Sequence, residues 1–137
     1  LFHKVAIRPG KPILVAELKG VTIFALPGNP VSSAVGFRFF IDPFLRALFG
    51  MSMEEGITAQ LEKETKSDRR DLTYFLKGKA TVTNGRITVE ALKGQSSFMV
   101  APLLKANCWM VMEPKAEALG NGNIVKIVPL EGSGIWQ

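Results

Sequence analysis

The sequence predicts an α/β segment followed by a small all-β domain, with the change near Gly50. Before Gly50, three short apolar runs lead into a stretch whose apolar residues recur at helical spacing. After Gly50, five strand-like segments are separated by short turns, a pattern typical of a small barrel or sandwich. We therefore expect two domains, residues 1–50 and residues 51–137.

Three strands are predicted in the first segment, at residues 1–7, 13–18 and 21–26. The third run is short, apolar and β-branched, as in a strand that is covered on both faces. Three strands and a helix end do not close a stable α/β layer by themselves. We therefore expect this segment to be the end of a larger doubly wound or three-layer domain whose first part precedes Leu1.

The loop after the third strand has the composition of a strand-to-helix turn. Pro27 and Gly28 break the strand, and Asn29 is a preferred N-cap residue. Pro30 suits the first helical position because its φ is fixed and it lacks an N–H donor. A helix is therefore predicted to begin at Pro30.

Apolar residues in this predicted helix recur at the spacing of a core face. They are Val31, Val35, Phe39 and Phe40. Asp42 and Pro43 predict the cap of a second short helix, which runs through Leu48 and ends at Gly50.

The loop at residues 27–30 either holds an anion or is a turn required by the backbone alone. The first N–H groups of a helix lack intrahelical partners and attract oxyanions. The distribution of charged residues favours the anion-binding interpretation. Residues 1–50 carry six basic and two acidic side chains, whereas residues 51–137 carry eleven and ten. An anionic ligand is the simplest partner for the basic excess of the first segment.

The second segment is predicted to contain five strands and one short helix. The strands are expected at residues 57–65, 72–83, 86–92, 107–113 and 123–130. Asn84 and Gly85 form a favourable two-residue hairpin turn. Residues 99–105 favour a short helix.

The cysteine and histidine content excludes several classes of site. The single Cys108 rules out an internal disulfide, agrees with a cytoplasmic location and lies in an apolar run typical of a buried thiol. The sequence contains one cysteine and one histidine, His3, which are too few for a zinc-binding cluster. Any metal would therefore be a hard cation on oxygen ligands. The uncharged run at residues 20–37 is interrupted by prolines, so no membrane span is expected.

Four short stretches carry a resemblance to a known family. They are residues 4–12 (KVAIRPGKP), 26–32 (LPGNPVS), 94–97 (GQSS) and 106–108 (ANC). In wording, order and spacing the chain resembles the molybdopterin molybdenumtransferase family, whose animal member is the gephyrin E domain. The resemblance implies the end of a three-layer molybdopterin-binding domain followed by the family's C-terminal β-barrel.

The resemblance also implies a reaction and its participants. Family members use adenylylated molybdopterin, molybdate and a divalent cation such as Mg²⁺ to insert molybdenum and release AMP. They act as homodimers, so a dimer is implied for the full-length form, together with a cytoplasmic location and partner proteins of the same pathway.

By resemblance, nine residues are candidates for substrate binding. They are Lys4, Arg8, Pro27, Gly28, Asn29, Pro30, Ser32, Lys77 and Ser96. A lysine, a guanidinium fork and backbone donors suit a tetrahedral dianion such as molybdate. In a continuous strand, Lys4 and Arg8 would project to the same side because their spacing is even.

Two of these assignments stay open. The order of Gly and Gln in the loop at residues 94–97 is exchanged relative to the family, so either Ser96 or Ser97 faces the ligand. Lys77 stands where arginine is commoner in the family, and Arg8 where lysine is commoner. For Lys77, a solvated barrel face is the alternative to a substrate contact.

The family's cation-binding and catalytic carboxylates lie mostly before Leu1, so no catalytic residue is assigned here. Asp42 is expected to cap a helix, and Asp68 and Asp71 to lie in a polar turn. No paired carboxylates are predicted to hold Mg²⁺, and the isolated chain is expected not to turn over substrate.

A protein-binding scaffold built on the barrel is the alternative function. It would require an exposed apolar groove, for which Phe98, Met99 and Trp136 are the candidates. Nucleic-acid binding is not expected, since the aromatic residues of the second segment show no stacking pattern with interleaved basic residues.

Overall fold

The computed structural model describes residues 1–66, 71–114 and 118–130. Its strands are β1 (Phe2–His3), β2 (Ile7–Arg8), β3 (Leu14–Leu18), β4 (Val21–Ala25), β5 (Ile57–Leu61), β6 (Thr73–Thr83), β7 (Arg86–Ala91), β8 (Cys108–Met112) and β9 (Ile124–Pro129). Its helices are α1 (Pro30–Gly36), a π-helical turn (Phe37–Ile41), α2 (Asp42–Leu48) and a 3₁₀ turn (Ala101–Leu104).

The first segment forms a three-stranded antiparallel sheet in the order β1-β3-β4. The single strand predicted at residues 1–7 is wrong, because Lys4 has a φ of 63° and divides it into β1 and β2. The prediction that the third strand is covered on both faces is also wrong. β4 lies at the sheet edge, and its residues Val21 and Ile23 are exposed.

The helix predicted from Pro30 is confirmed, and it continues through the π-helical turn into α2 without a break. The prediction that Asp42 caps α2 is wrong, because Ile41 before it already has helical backbone angles. The Asp42 carboxylate instead accepts hydrogen bonds from Arg38 and Arg46, one helical turn away on either side.

Gly50 ends this helical stretch, as predicted. Its φ is 65°, and its N–H donates to the carbonyl of Ala47 while that of Met51 donates to Arg46. This pair of bonds is the Schellman arrangement, in which a left-handed residue satisfies the last helical carbonyls.

The second segment is a five-stranded closed barrel, which confirms the barrel prediction. The strand order is β6-β7-β5-β9-β8, and pairing of β8 with β6 closes it. β2 extends the sheet outside the barrel by pairing in parallel with the start of β6. The hairpin turn at Asn84 and Gly85 joins β6 to β7, where both residues have positive φ.

Two apolar clusters account for the alternating faces of the barrel strands. One fills the barrel interior with residues such as Leu61, Leu76 and Met110. The other lies outside the barrel wall. Its buried members are Ile7, Val31, Val35, Phe75, Trp109, Val111 and Val128. Since it contains residues of β2, α1 and the barrel, the first segment packs directly on the barrel.

A buried guanidinium joins three parts of this packing. Arg38 is 7% exposed and donates its Nε–H to the carbonyl of Pro129 on β9 at 2.9 Å. Its other nitrogens bond the carboxylates of Asp42 on α2 and Glu54 in the connection to β5. Arg46 lies beside the same two carboxylates, at 3.0 and 3.7 Å.

The buried thiol predicted for Cys108 is confirmed, since the side chain is fully buried on β8. Burial raises the pKa of Cys108 to about 12. The unfolded thiol loses its proton near pH 8.5–9, roughly its ordinary value, so the folded chain holds more protons above that pH.

The free energy of unfolding should therefore fall as pH rises from about 9 to about 12, by up to roughly 1.4 kcal/mol per pH unit from this group. Urea denaturation of the wild type and of Cys108→Ala across this range measures the effect. The stability difference between the two proteins should shift against the wild type as pH rises. A constant difference would contradict the assignment of a shielded thiol.

Candidate functional site

A cavity of about 550 Å³ lies where the first segment meets the barrel. One wall is formed by residues 7–12 together with Asn29 and Ser32 of the strand-to-helix turn. The other wall comes from β6 and the residue before it, from the end of β7 and from two barrel loops. It consists of Thr65, Lys66, Leu72, Tyr74, Phe75, Leu76, Ala91, Gln95, Ser96 and Ser97.

The charges in the lining have one sign. Arg8, Lys11 and Lys66 line the cavity, and none of the described lining residues is acidic. Lys66 also lies 3.2 Å from a carboxylate oxygen of Glu64 at the surface. Hydroxyl and amide side chains supply neutral polar groups, so the cavity is suited to an anion with several oxygen atoms.

Arg8 is positioned by backbone pairing between the two segments. β2 pairs in parallel with β6, and the N–H of Thr73 donates to the carbonyl of Ala6 at 2.9 Å. The turn after β2 requires glycine at position 10, where φ is 109° and a Cβ would meet Ile7 Cδ1 at 3.1 Å. The backbone pairing and the turn therefore fix the position from which the Arg8 side chain extends.

The Arg8 guanidinium also lies against an aromatic ring. Its central carbon is 5.9 Å from the centre of the Tyr74 ring, within the range of a cation–π contact. Tyr74 is buried on β6, while Arg8 is exposed at the cavity. The ring thus restricts the directions in which this cation can point.

The strand-to-helix turn contributes to the cavity only in part. Asn29 occupies the N-cap position, as predicted, although its side chain makes no capping hydrogen bond with the described residues. Asn29 and Ser32 line the cavity, whereas Pro27, Gly28 and Pro30 are outside its lining. These three residues shape the turn that presents the other two.

One donor of the first helical turn is already used within the protein. The N–H of Val31 donates to the carbonyl of Ser97 at 3.3 Å, which links the helix to the barrel loop. The hydroxyl of Ser33 donates to the carbonyl of Pro27. The helix N-terminus therefore organises the cavity wall as well as facing it.

Lys4 lies apart from the other cations. It is exposed and outside the described cavity lining. The expectation that Lys4 and Arg8 project from one strand is wrong, because Lys4 falls between β1 and β2, which belong to different sheets.

Lys77 is buried, so the solvated-face interpretation of this residue is wrong. It is 1% exposed, and its Nζ donates to the carbonyls of Ser96 at 3.1 Å and Met99 at 3.0 Å. Burial lowers the pKa of Lys77. Ser96 and Ser97 both line the cavity, and Lys77 lies behind the loop that carries them.

Five polar lining residues were not singled out from the sequence. Lys11 and Gln95 lay inside the motifs that carried the resemblance, so the signal was present there. Thr65, Lys66 and Tyr74 had no local signal, because only the closed barrel brings β6 and the loop after β5 to the helix.

The described residues do not fit a metal site. No group of three His, Cys, Asp or Glu side chains in residues 1–66, 71–114 and 118–130 is placed to hold an ion. Asp42 is engaged by two arginines, and Asp68 lies outside the described residues. In that same part of the chain, none of the helices has the length and apolar character needed to cross a membrane.

The sequence is similar to those of several curated proteins. A molybdopterin molybdenumtransferase of Staphylococcus aureus is 30% identical over 132 residues, covering 96% of this chain and 32% of the relative. The protein of the same name from Haemophilus influenzae is 30% identical over 136 residues, covering 93% and 32%. The chain thus spans about a third of the length of these curated relatives.

Solved structures agree with this similarity. The molybdopterin biosynthesis moeA protein of Pyrococcus horikoshii superposes with a TM-score of 0.73 at 25% identity, covering 94% of this chain and 32% of that one. A molybdenum cofactor biosynthesis protein of Pyrococcus furiosus gives 0.71 at 25% identity, covering 93% and 44%.

Two protein families match along the sequence. Residues 1–47 match the probable molybdopterin binding domain. Residues 58–130, more than half of the chain, match the MoeA C-terminal region, also called domain IV. This chain therefore belongs to the family of MoeA C-terminal regions.

Proposed function

We propose that this chain is the C-terminal part of a molybdopterin molybdenumtransferase and that its basic cavity holds the anionic groups of the substrates. The observation that carries the proposal is the cavity of about 550 Å³ with Arg8, Lys11 and Lys66 and no carboxylate among its described lining residues. The relatives named molybdopterin molybdenumtransferase support it, as does the match to the probable molybdopterin binding domain.

The proposed reaction inserts molybdate into adenylylated molybdopterin and releases AMP. Both substrates are anions, and the residues at the cavity match their needs. Arg8 offers a planar fork for two oxygens, Lys11 offers a point charge, and Ser32 and Ser96 offer hydroxyl donors. In this proposal the chain binds and orients the anion, and the groups that complete catalysis lie outside the described residues.

The candidate residues take different roles in this proposal. Arg8, Asn29, Ser32 and Ser96 contact substrate directly, and Ser97 lies beside them in the lining. Three residues, Pro27, Gly28 and Pro30, hold the turn. Lys4 adds positive potential from outside the lining, and Lys77 acts from behind the loop at residues 94–97.

The wider features of the enzyme are proposals as well. They comprise a boundary near Gly50 between residues 1–50 of the molybdopterin-binding domain and residues 51–137 of the barrel, a homodimer in the full-length form, and a cytoplasmic location. Mg²⁺ is the proposed cation, and its ligands would lie outside the described residues, since those residues offer no fitting cluster.

Titration of the protein with sodium molybdate by calorimetry tests the proposal. Arg8→Gln should weaken molybdate binding by about tenfold or more, because a charged hydrogen bond contributes roughly 1.5–3 kcal/mol. Lys19→Gln is the matched control, since Lys19 lies in the β3–β4 turn and is absent from the cavity lining. It should change the affinity by less than about twofold.

A result in which the wild type fails to bind molybdate, or in which the two variants weaken it equally, would contradict the proposed site. Equal weakening would indicate that net charge alone attracts the ion. Affinity should also fall with added potassium chloride, as expected for a site that relies on cations at the surface.

The protein-binding alternative is not favoured. Phe98 is 72% exposed and Met99 42%, so these two candidates do lie at the surface. Trp136 lies outside the described residues. Nothing in the described structure indicates what would cover the exposed pair, whereas the named relatives are transferases.

A further inference from the structure

Two side-chain amides fasten the loop between β7 and β8 onto strand β6. Gln95 accepts the N–H of Lys77 at 2.9 Å and donates to the Lys77 carbonyl at 2.9 Å and to Leu92 at 2.6 Å. Asn107 accepts the N–H of Ala80 at 2.7 Å and donates to its carbonyl at 2.9 Å. Each amide thus behaves as one more residue of a neighbouring strand.

The ammonium of Lys77 fastens the same loop between these two points. It donates to the carbonyls of Ser96 and Met99, and the N–H of Met99 donates back to the carbonyl of Ser96 at 3.1 Å. A charged donor that is fully buried requires such acceptors, because it has lost its hydration. We call Lys77 and Gln95, with these bonds, the loop clamp.

The loop clamp acts on a wall of the cavity. Ser96 and Ser97 line the cavity, and the Ser97 carbonyl accepts the N–H of Val31 at the start of α1. Lys77 itself is absent from the cavity lining. Gln95 is a lining residue, but its amide is engaged by backbone groups of Lys77 and Leu92. These two side chains are therefore placed to fix the serines without replacing them as ligands.

We propose that Lys77 and Gln95 are positioning residues, whose bonds to the loop at residues 94–99 hold Ser96 and Ser97 against the helix in the geometry that receives an oxyanion. This proposal rests on the proposed function for the nature of the ligand. The physical reason is preorganisation: a wall that is already ordered loses less conformational freedom when the anion binds.

Lys77→Met removes the two ammonium bonds while keeping an unbranched apolar stem. Lys79→Met is its matched control, since Lys79 lies two residues along the same face of β6, carries the same charge and is exposed. In amide hydrogen exchange, Lys77→Met should lower the protection of Val31 by about tenfold or more, because its acceptor Ser97 is released. Protection of Met110 in the barrel interior should fall far less.

Molybdate titration gives the second readout. Lys77→Met should weaken the affinity by about tenfold, whereas Lys79→Met, with an equal loss of charge, should change it by less than about twofold. An equal effect of both variants would overturn the proposal, since it would assign the loss to charge. Retained Val31 protection in Lys77→Met would overturn it as well.

Gln95→Met and Asn107→Leu provide a pair that keeps the charge constant and covers the case in which Lys77→Met does not fold. Both remove an amide that is hydrogen-bonded to β6, but only Gln95 is part of the cavity lining. Gln95→Met should lower Val31 protection and molybdate affinity more than Asn107→Leu does. Equal effects would overturn the proposal. If the wild type binds no molybdate, the proposed function fails, while the exchange data still decide the positioning role.

Discussion

Replacing Trp109 with alanine should lower the free energy of unfolding by about 4 kcal/mol. Trp109 is 1% exposed on the outer face of β8, in the cluster that joins the barrel to α1. It also lines a cavity of about 490 Å³ with Phe37, Leu103 and Leu130. Because a cavity already lies beside the indole ring, the neighbouring side chains are not packed closely enough to fill the space that alanine would leave.

Urea denaturation followed by circular dichroism measures this loss. Trp109→Phe is the control, since it keeps a ring on the same face and should cost roughly 1–2 kcal/mol. An alanine variant within about 1 kcal/mol of the wild type would contradict the placement of the indole in a shared core. In that case, the packing between the barrel and α1 would have to depend on other members of the cluster, such as Val128 on β9.

Replacing Arg38 with methionine should be the second large effect, with a loss of about 2–4 kcal/mol. The change leaves the carboxylates of Asp42 and Glu54 without their buried partner and frees the carbonyl of Pro129. The lower bound reflects Arg46, which lies 3.0 Å from Asp42 and 3.7 Å from Glu54 and retains part of the pairing.

Arg46→Met is the matched control, because it removes the same charge from the same helix. The Arg46 side chain is 19% exposed against 8% for Arg38, and its bonds end on residues near its own helix. It should cost about 1 kcal/mol or less in thermal or urea unfolding. If both variants lose the same stability, the link from Arg38 to the barrel contributes nothing.

Most of the fold could be predicted from local patterns. The five barrel strands and the hairpin at Asn84 follow from alternation and turn chemistry, which act over a few residues. The division of the first strand at Lys4 could not be predicted, since a lysine in the left-handed region is selected by its surroundings. The parallel pairing of Ile7 with Thr73 likewise depends on a contact between distant parts of the chain.

The part of the candidate site that the strand-to-helix turn forms could be predicted from the sequence. Asn29 and Ser32 were found from the strand-to-helix pattern with the motif around it, and both line the cavity. The burial of Lys77 was not predictable, because a lysine within a strand is ordinarily solvated and only the folded loop supplies its acceptors. Lys66 reaches the cavity from a loop after β5 that carries no motif of its own.

The cluster of Ile7, Val31, Val35, Phe75 and Trp109 has a practical consequence for anyone who wishes to shorten this protein. The matched families leave a gap at residues 48–57 that invites a cut. A barrel expressed from that point would expose Trp109 and Phe75 to water and would lack the strand that pairs with the start of β6. We therefore expect such a shortened barrel to aggregate through its exposed apolar surface and its unpaired strand, and not to remain a monomer.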